Sequence, residues 1–149
     1  MGAADMTDET YVVAYDDDKR HHVLDYAITQ ASASGAKLYI LHVLEWSPYS
    51  FLTPEELEER HARRRSEMAR AQEHIIDPAI DRAKKADLIA TGEIRYGSVV
   101  DVIIQTTQKV GASMIFVGRA GGNTLGARIF GSVPLGLAQA AQVPTVIVP

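Results

Sequence analysis

No cysteine occurs among the 149 residues, so disulfides, thiolate catalysis and zinc-thiolate sites are excluded. No apolar run approaches the roughly 20 residues that a membrane-spanning helix needs, and no membrane partner is expected. Met1 to Glu9 are small and acidic, with no basic stretch leading into an apolar core, so a cytoplasmic chain is expected. Gly2 follows Met1, but Met6 stands where N-myristoylation requires Ser or Thr. The formal net charge is -4, and the basic triplet Arg63-Arg64-Arg65 sits in a mixed-charge segment. Nucleic acid is therefore not an expected partner. Familiar catalytic and nucleotide motifs are also missing: there is no Gly-x4-Gly-Lys-Ser/Thr loop, no Gly-x-Gly-x2-Gly fingerprint and no Gly-x-Ser-x-Gly elbow. No base is recognisable beside Ser132, so no catalytic residue is assigned.

What is present is the composition of an ordinary globule, 46% hydrophobic and 23% charged. The length suits one domain, taken as residues 10–149 after a flexible tail at 1–9. Tyr11 to Tyr15 is a short apolar run ending in Asp16-Asp17-Asp18, as in a buried strand that stops in a polar loop. Asp18 can cap the helix that follows, in which Val23, Leu24, Ala27, Ile28 and Ala31 recur at helical steps up to Gly35. Leu38 to Leu44 is a second buried strand, and strand, helix, strand in this span makes a parallel βαβ unit.

Thr53-Pro54-Glu55-Glu56 reads as a capping box that opens a long helix. Leu57, Met68, Ala71, Ile75, Ala79 and Ala83 can face the sheet, and Pro78 is expected to kink or restart the helix. Leu88 to Ile94 is a less apolar strand, expected nearer an edge. Gly97-Ser98 begins a helix with Val99, Val102, Ile103 and Thr106 on one face; Ser113 to Val117 is the fourth strand. Ser132 to Ala141 forms a short helix, and Val143 to Val148 closes the chain as a fifth strand. This alternation predicts an α/β fold: an open, doubly wound, five-stranded parallel sheet with helices on both faces, a Rossmann-like α/β/α sandwich. Its ligands belong outside the carboxyl ends of the strands, where strand order reverses.

Between the fourth strand and the last helix lies Gly118-x2-Gly121-x9-Gly131-Ser132. Glycines permit close backbone approach, and the N–H groups at a helix start favour an anion, so the stretch suits phosphate. This spacing resembles the nucleotide-binding signature of the universal stress protein family, in its ATP-binding branch. The first strand ending in Asp16, the Leu41-His42-Val43 strand end, the Gly97 turn and the closing Val-Pro-x-Val-x-Val strand extend the likeness over nearly the whole chain.

The resemblance implies an adenine-nucleotide site. The backbone at Ala14 and Val43 would border the adenine, and Asp16 would accept from the ribose hydroxyls. Gly118 and Gly121 would lie against ribose and the first phosphates, with Gly131, Ser132 and Val133 at the outer phosphates; Tyr15, Arg119 and Gly122 complete the expected nucleotide-binding set. It further implies ATP, or AMP or another adenine nucleotide, as ligand and a homodimer formed through the last strand. Two departures stand out: Asp17 and Asp18 replace an uncharged pair, adding negative charge that would either weaken nucleotide binding or demand a divalent cation such as Mg²⁺ to bridge phosphates and carboxylate, and Ser113 replaces an aspartate. Asp16 to Asp18 also read as a helix cap and solvated loop, while Arg119 and Arg128 read equally as phosphate contacts or solvated charges. His21 and His22 read as surface histidines, and His42 as a satisfied core histidine. The functional expectation is a stress-response regulator, switched when nucleotide orders the Gly122 to Phe130 loop for an unnamed protein partner. A dimeric interaction module without nucleotide, or a slow ATP hydrolase, is the alternative.

Overall fold

The computed structural model describes residues 9–16, 20–45, 53–119 and 132–149. In chain order the elements are β1 (Thr10–Ala14), α1 (His22–Ser34), β2 (Lys37–Leu44), α2 (Pro54–Ala71), a π-helical turn (Gln72–Ile76), α3 (Asp77–Lys85), β3 (Ala90–Tyr96), α4 (Val99–Val110), β4 (Met114–Gly118), α5 (Ser132–Ala140) and β5 (Thr145–Val148). Among the described residues the strands form one sheet in the order β3-β2-β1-β4-β5. Every pairing is parallel, with Tyr11 opposite both Leu38 of β2 and Met114 of β4. This is the expected doubly wound sheet, with its order reversing between β1 and β4.

Continuous apolar strands need cover on both faces, and two cores supply it. Val13, Leu38, Ile40 and Phe116 pack with Leu24 and Ala27 of α1 and Ala79 and Ala83 of α3. On the other face Val12, Leu41, Ile115 and Val117 pack with Ile103 of α4 and Leu137 of α5. The less apolar β3 takes an edge, as its composition suggests.

Local signals and structure agree at several joints. Thr53 caps α2, its hydroxyl accepting from the Glu56 N–H at 3.2 Å, with Pro54 at the first helical position. Gly35 and Gly111 end α1 and α4 in the left-handed conformation. Pro78 sits at the start of α3, just past the π turn, so the helix does restart there.

Two expectations are corrected. The residue at the head of α1 is His21, not Asp18: His21 adopts φ 55°, ψ 29° and its side chain makes no cap bond. Asp18 itself lies outside the described residues. Leu57 and Met68 do not face the sheet; they are 42% and 39% exposed, and α2 buries only Ala71. With 18 residues, α2 alone is about 27 Å long, and with the π turn and α3 the helical stretch reaches about 48 Å, against about 23 Å for the 7-residue β3. Its first half therefore overshoots the sheet. Apart from Glu9, the expected N-terminal tail lies outside the described residues. Ser113 donates its N–H to the Thr10 carbonyl at 2.9 Å, while its hydroxyl is buried without a partner.

One surface pair ties the sequence-distant α1 and α3 together: Arg82 donates from Nε and Nη2 to Asp25 at 2.6 and 2.9 Å. The Arg82 hydrogen bond holds the Asp25 carboxyl below its ordinary value of 3.8, against a smaller opposing effect of burial. A carboxyl pKa depressed on folding contributes stability above the unfolded value and loses it as pH falls through the folded one. Both side chains are nearly half exposed, so the pair contributes on the order of 0.5 kcal/mol. Arg82→Ala is expected to lower the unfolding free energy by about that much at neutral pH. The deficit should disappear in urea titrations run well below pH 3.8.

Candidate functional site

Because all five strands are parallel, β1, β2 and β4 end at one edge of the sheet, and the reversal between β1 and β4 opens a crevice there. The chain leaves β1 through Tyr15, whose N–H still donates to the Leu41 carbonyl at 2.8 Å. The Tyr15 carbonyl accepts from Nδ1 of His42 at 2.9 Å, and its hydroxyl meets Nδ1 of His21 at 2.6 Å. Tyr15 thus fixes the first and last described residues of the β1–α1 loop relative to each other, with Asp16 exposed beside it.

The crevice holds a cavity of about 310 Å³, within the range of small-ligand sites. Buried Val23, Leu41 and Val117 form its floor. Exposed Asp16, Arg20, Glu45 and Arg119 form its rim. A second hollow of about 450 Å³ shares Glu45, Val99 and Val133 with it. Its wall is made by the first turns of α4 and α5, at Ser98 and Ser132, where helix N–H groups lack intrahelical partners. Gly97 makes the turn into α4 at φ 152°, which side chains rarely adopt.

Of the residues expected from sequence, Ala14, Tyr15, Asp16, Val43, Gly118, Arg119 and Val133 line the one cavity. Ser132 lines the adjoining hollow. Gly121, Gly122 and Gly131 lie outside the described residues, as do Asp17 and Arg128. His42 is buried and hydrogen-bonded, as read from the sequence, but it also lines the cavity. Arg20 and Glu45, which sequence reasoning passed over, line it too, as does His22, read from the sequence only as a surface histidine. Their signal was positional: each follows a strand that ends at the ligand edge. The surface reading of His22 holds in exposure, yet it faces the crevice.

The chemistry of this arrangement is that of a holder. An apolar floor accepts a flat ring, a carboxylate accepts from hydroxyls, and arginine with helix N-termini favours an anion. Among the described residues no group of three or more His, Cys, Asp or Glu can hold a metal by itself. No helix among them is long and apolar enough to cross a membrane.

The fold and crevice define a doubly wound α/β domain with a cavity at its topological switch point. The model of the universal stress protein family matches residues 9–149, and the chain belongs to that family. Comparison with curated proteins gives no match. Among solved structures, universal stress protein UspA from Lactobacillus plantarum superposes with a TM-score of 0.78 at 17% identity, covering 95% of this chain and 97% of that one. A universal stress protein described in complex with cAMP is 25% identical, with a TM-score of 0.66 and coverage of 95% and 97%. A family member from Arabidopsis thaliana described with AMP bound is 16% identical, with a TM-score of 0.63 and coverage of 94% and 90%.

Proposed function

We propose that this protein binds an adenine nucleotide in the switch-point cavity and acts in the cytoplasm as a stress-response regulator rather than as a metabolic enzyme. The observation that carries this reading is the convergence of seven sequence-predicted residues, from Ala14 to Val133, on one cavity. The cAMP- and AMP-bound relatives support the ligand class. ATP, AMP and cyclic nucleotides share the adenosine that the floor and Asp16 would hold; phosphates would run toward Arg119 and the first turns of α4 and α5.

The donor set fits Mg²⁺ in one respect: Asp16 presents a hard carboxylate oxygen at the rim. With no three-ligand cluster among the described residues, the ion would arrive with the phosphates, where its chemistry is charge neutralisation. Nucleotide would then change the surface offered to a protein partner; the Gly122 to Phe130 segment named for this in the sequence lies outside the described residues. Slow ATP hydrolysis is compatible with this role. The proposed homodimer forms along β5, an edge strand whose Ile147 is 44% exposed, close in sequence to α5 with Leu135 60% exposed. Ile147→Lys is expected to give monomers in light scattering.

The test is calorimetric titration of ATP and AMP, with and without Mg²⁺, into the wild type and a Gly121→Val, Gly131→Val variant. Near-micromolar binding, about -8 kcal/mol, that the variant loses is the expected result. No heat from any adenine nucleotide overturns the reading.

A further inference from the structure

Far from the crevice, α2 carries an ordered pattern of charge on its solvent side. The guanidinium of Arg64 lies 5.2 Å over the Tyr96 ring of β3, and Ala71 is buried, so these two mark the inward side of the helix. At about 100° per residue, exposed Ala62 stands roughly half a turn round from both, at the middle of the outward side. Glu58 and Arg65 run along one flank of it, and Glu59, Arg63 and Arg70 along the other, all exposed. The outward side is thus acidic in the first turns, where Glu55 joins Glu58 and Glu59, and basic from Arg63 onward. The macrodipole does not account for this order, because it acts on the first and last turns. The helical stretch runs on through the π turn to Lys85, so the three arginines stand in its middle. Nor are these charges paired within the chain: among the described residues none of the six side chains makes an ion pair or hydrogen bond.

A face that is acidic at one end and basic at the other complements a reversed copy of itself. We infer that the outward side of α2 is a contact surface for a second copy of this chain, docked antiparallel through reciprocal Glu–Arg pairs. With a two-fold axis between His61 and Ala62, Glu58 falls level with Arg65 of the second copy. Glu59 then falls within one residue of Arg63, and Glu55 within two of Arg70, so every exposed arginine of this face meets a glutamate. Symmetry makes each contact twice. A parallel pairing would set like charge against like, so the pattern also fixes the orientation. Ala62 keeps the crossing point small, which lets the axes approach to about 8 Å. Exposed ion pairs are individually weak, so the contact is a reversible one that salt dissolves. It is separate from the proposed β5 contact: α2 packs beside β3, at the opposite edge of the sheet from β5. Two such two-fold contacts on opposite edges would join β5 dimers into larger assemblies.

The experiment is sedimentation equilibrium of the full chain at about 10 mM and about 1 M salt, between which the Debye length falls from about 30 to about 3 Å. Any species that persists at high salt, such as a β5 dimer, sets the baseline; the readout is the association beyond it. The wild type is expected to assemble further at low salt, with an association constant at least about tenfold lower at high salt. Glu58→Arg and Arg65→Glu, each alone, set like charges level at two symmetry-related places and should weaken the low-salt association by at least about tenfold. An equimolar mixture of the two variants restores opposite charges at both places and should associate at least as well as the wild type. Both positions are exposed, so neither substitution threatens the fold. A wild-type mass that does not change with salt overturns the inference and leaves this face to a different partner. A mixture that associates no better than its separate components overturns it too, because association then runs through some other surface.

Discussion

Phe116→Ala is expected to lower the unfolding free energy by about 3–5 kcal/mol. Phe116 is completely buried in the middle of β4, a strand paired on both sides, and it is the largest of the fully buried side chains. Its ring packs against Tyr11 at 5.4 Å and Tyr26 at 6.1 Å between centroids, both tilted. Alanine removes that contact area and leaves a void that a sheet fixed on both sides cannot close, so the cavity cost adds to the transfer cost. Urea unfolding should show a lower midpoint with an unchanged slope. The melting temperature should fall by roughly 6–20 °C. Phe116→Leu should cost much less. A loss under about 1 kcal/mol for alanine would contradict the core described for this face.

Gly92→Ala is expected to cost about 1–3 kcal/mol, although alanine in a strand is ordinarily no worse than glycine. A Cβ at Gly92 would stand 2.8 Å from the Ile40 carbonyl oxygen and 3.0 Å from Cγ2 of Ile76. The isoleucine side chain can yield by a few tenths of an ångström. The Ile40 carbonyl belongs to β2, whose Ile40 is the register partner of Gly92, and it cannot move without disturbing the ladder. Combining Gly92→Ala with Ile76→Val should therefore restore only part of the loss in a double-mutant cycle. Full restoration would mean that the side chain alone sets the constraint.

The same region shows where sequence reading stopped. Apolar runs and helical steps placed all five strands within a few residues, and β3 at an edge, because burial on two faces leaves a strong compositional mark. The π turn at Gln72–Ile76 leaves none. It adds a residue to a turn and rotates everything before it by about 100° relative to a continuous α-helix. Leu57 and Met68, aligned on paper with Ala79 and Ala83, consequently leave the sheet side. Asp18 was favoured as a cap for its chemistry, yet His21 holds the left-handed position because the Tyr15 hydroxyl meets its ring from six residues away. Such a tertiary contact has no local signature.

At the site, the residues legible in advance were those whose backbone or carboxylate belongs to a spaced motif, such as Asp16 and Gly118. The places of Arg20, His22, Glu45 and His42 on the cavity were not legible, because they follow from where three separated strand ends meet in space. The glycine spacing was informative for the opposite reason: it fixes a pattern along the chain itself.

The strand order has a consequence for the protein's birth on the ribosome. β1 finds β2 within about 30 residues, but its other neighbour, β4, is about a hundred residues further on, Tyr11 pairing with Met114. At about 5–20 residues per second, one edge of β1 stays open for roughly 4–15 s after β2 emerges. During that interval Asp16 has no Gly118 opposite it, and the crevice does not exist. The nascent chain therefore relies on its own β1–α1–β2 core, and binding of the proposed kind could stabilise the sheet only after translation has passed β4.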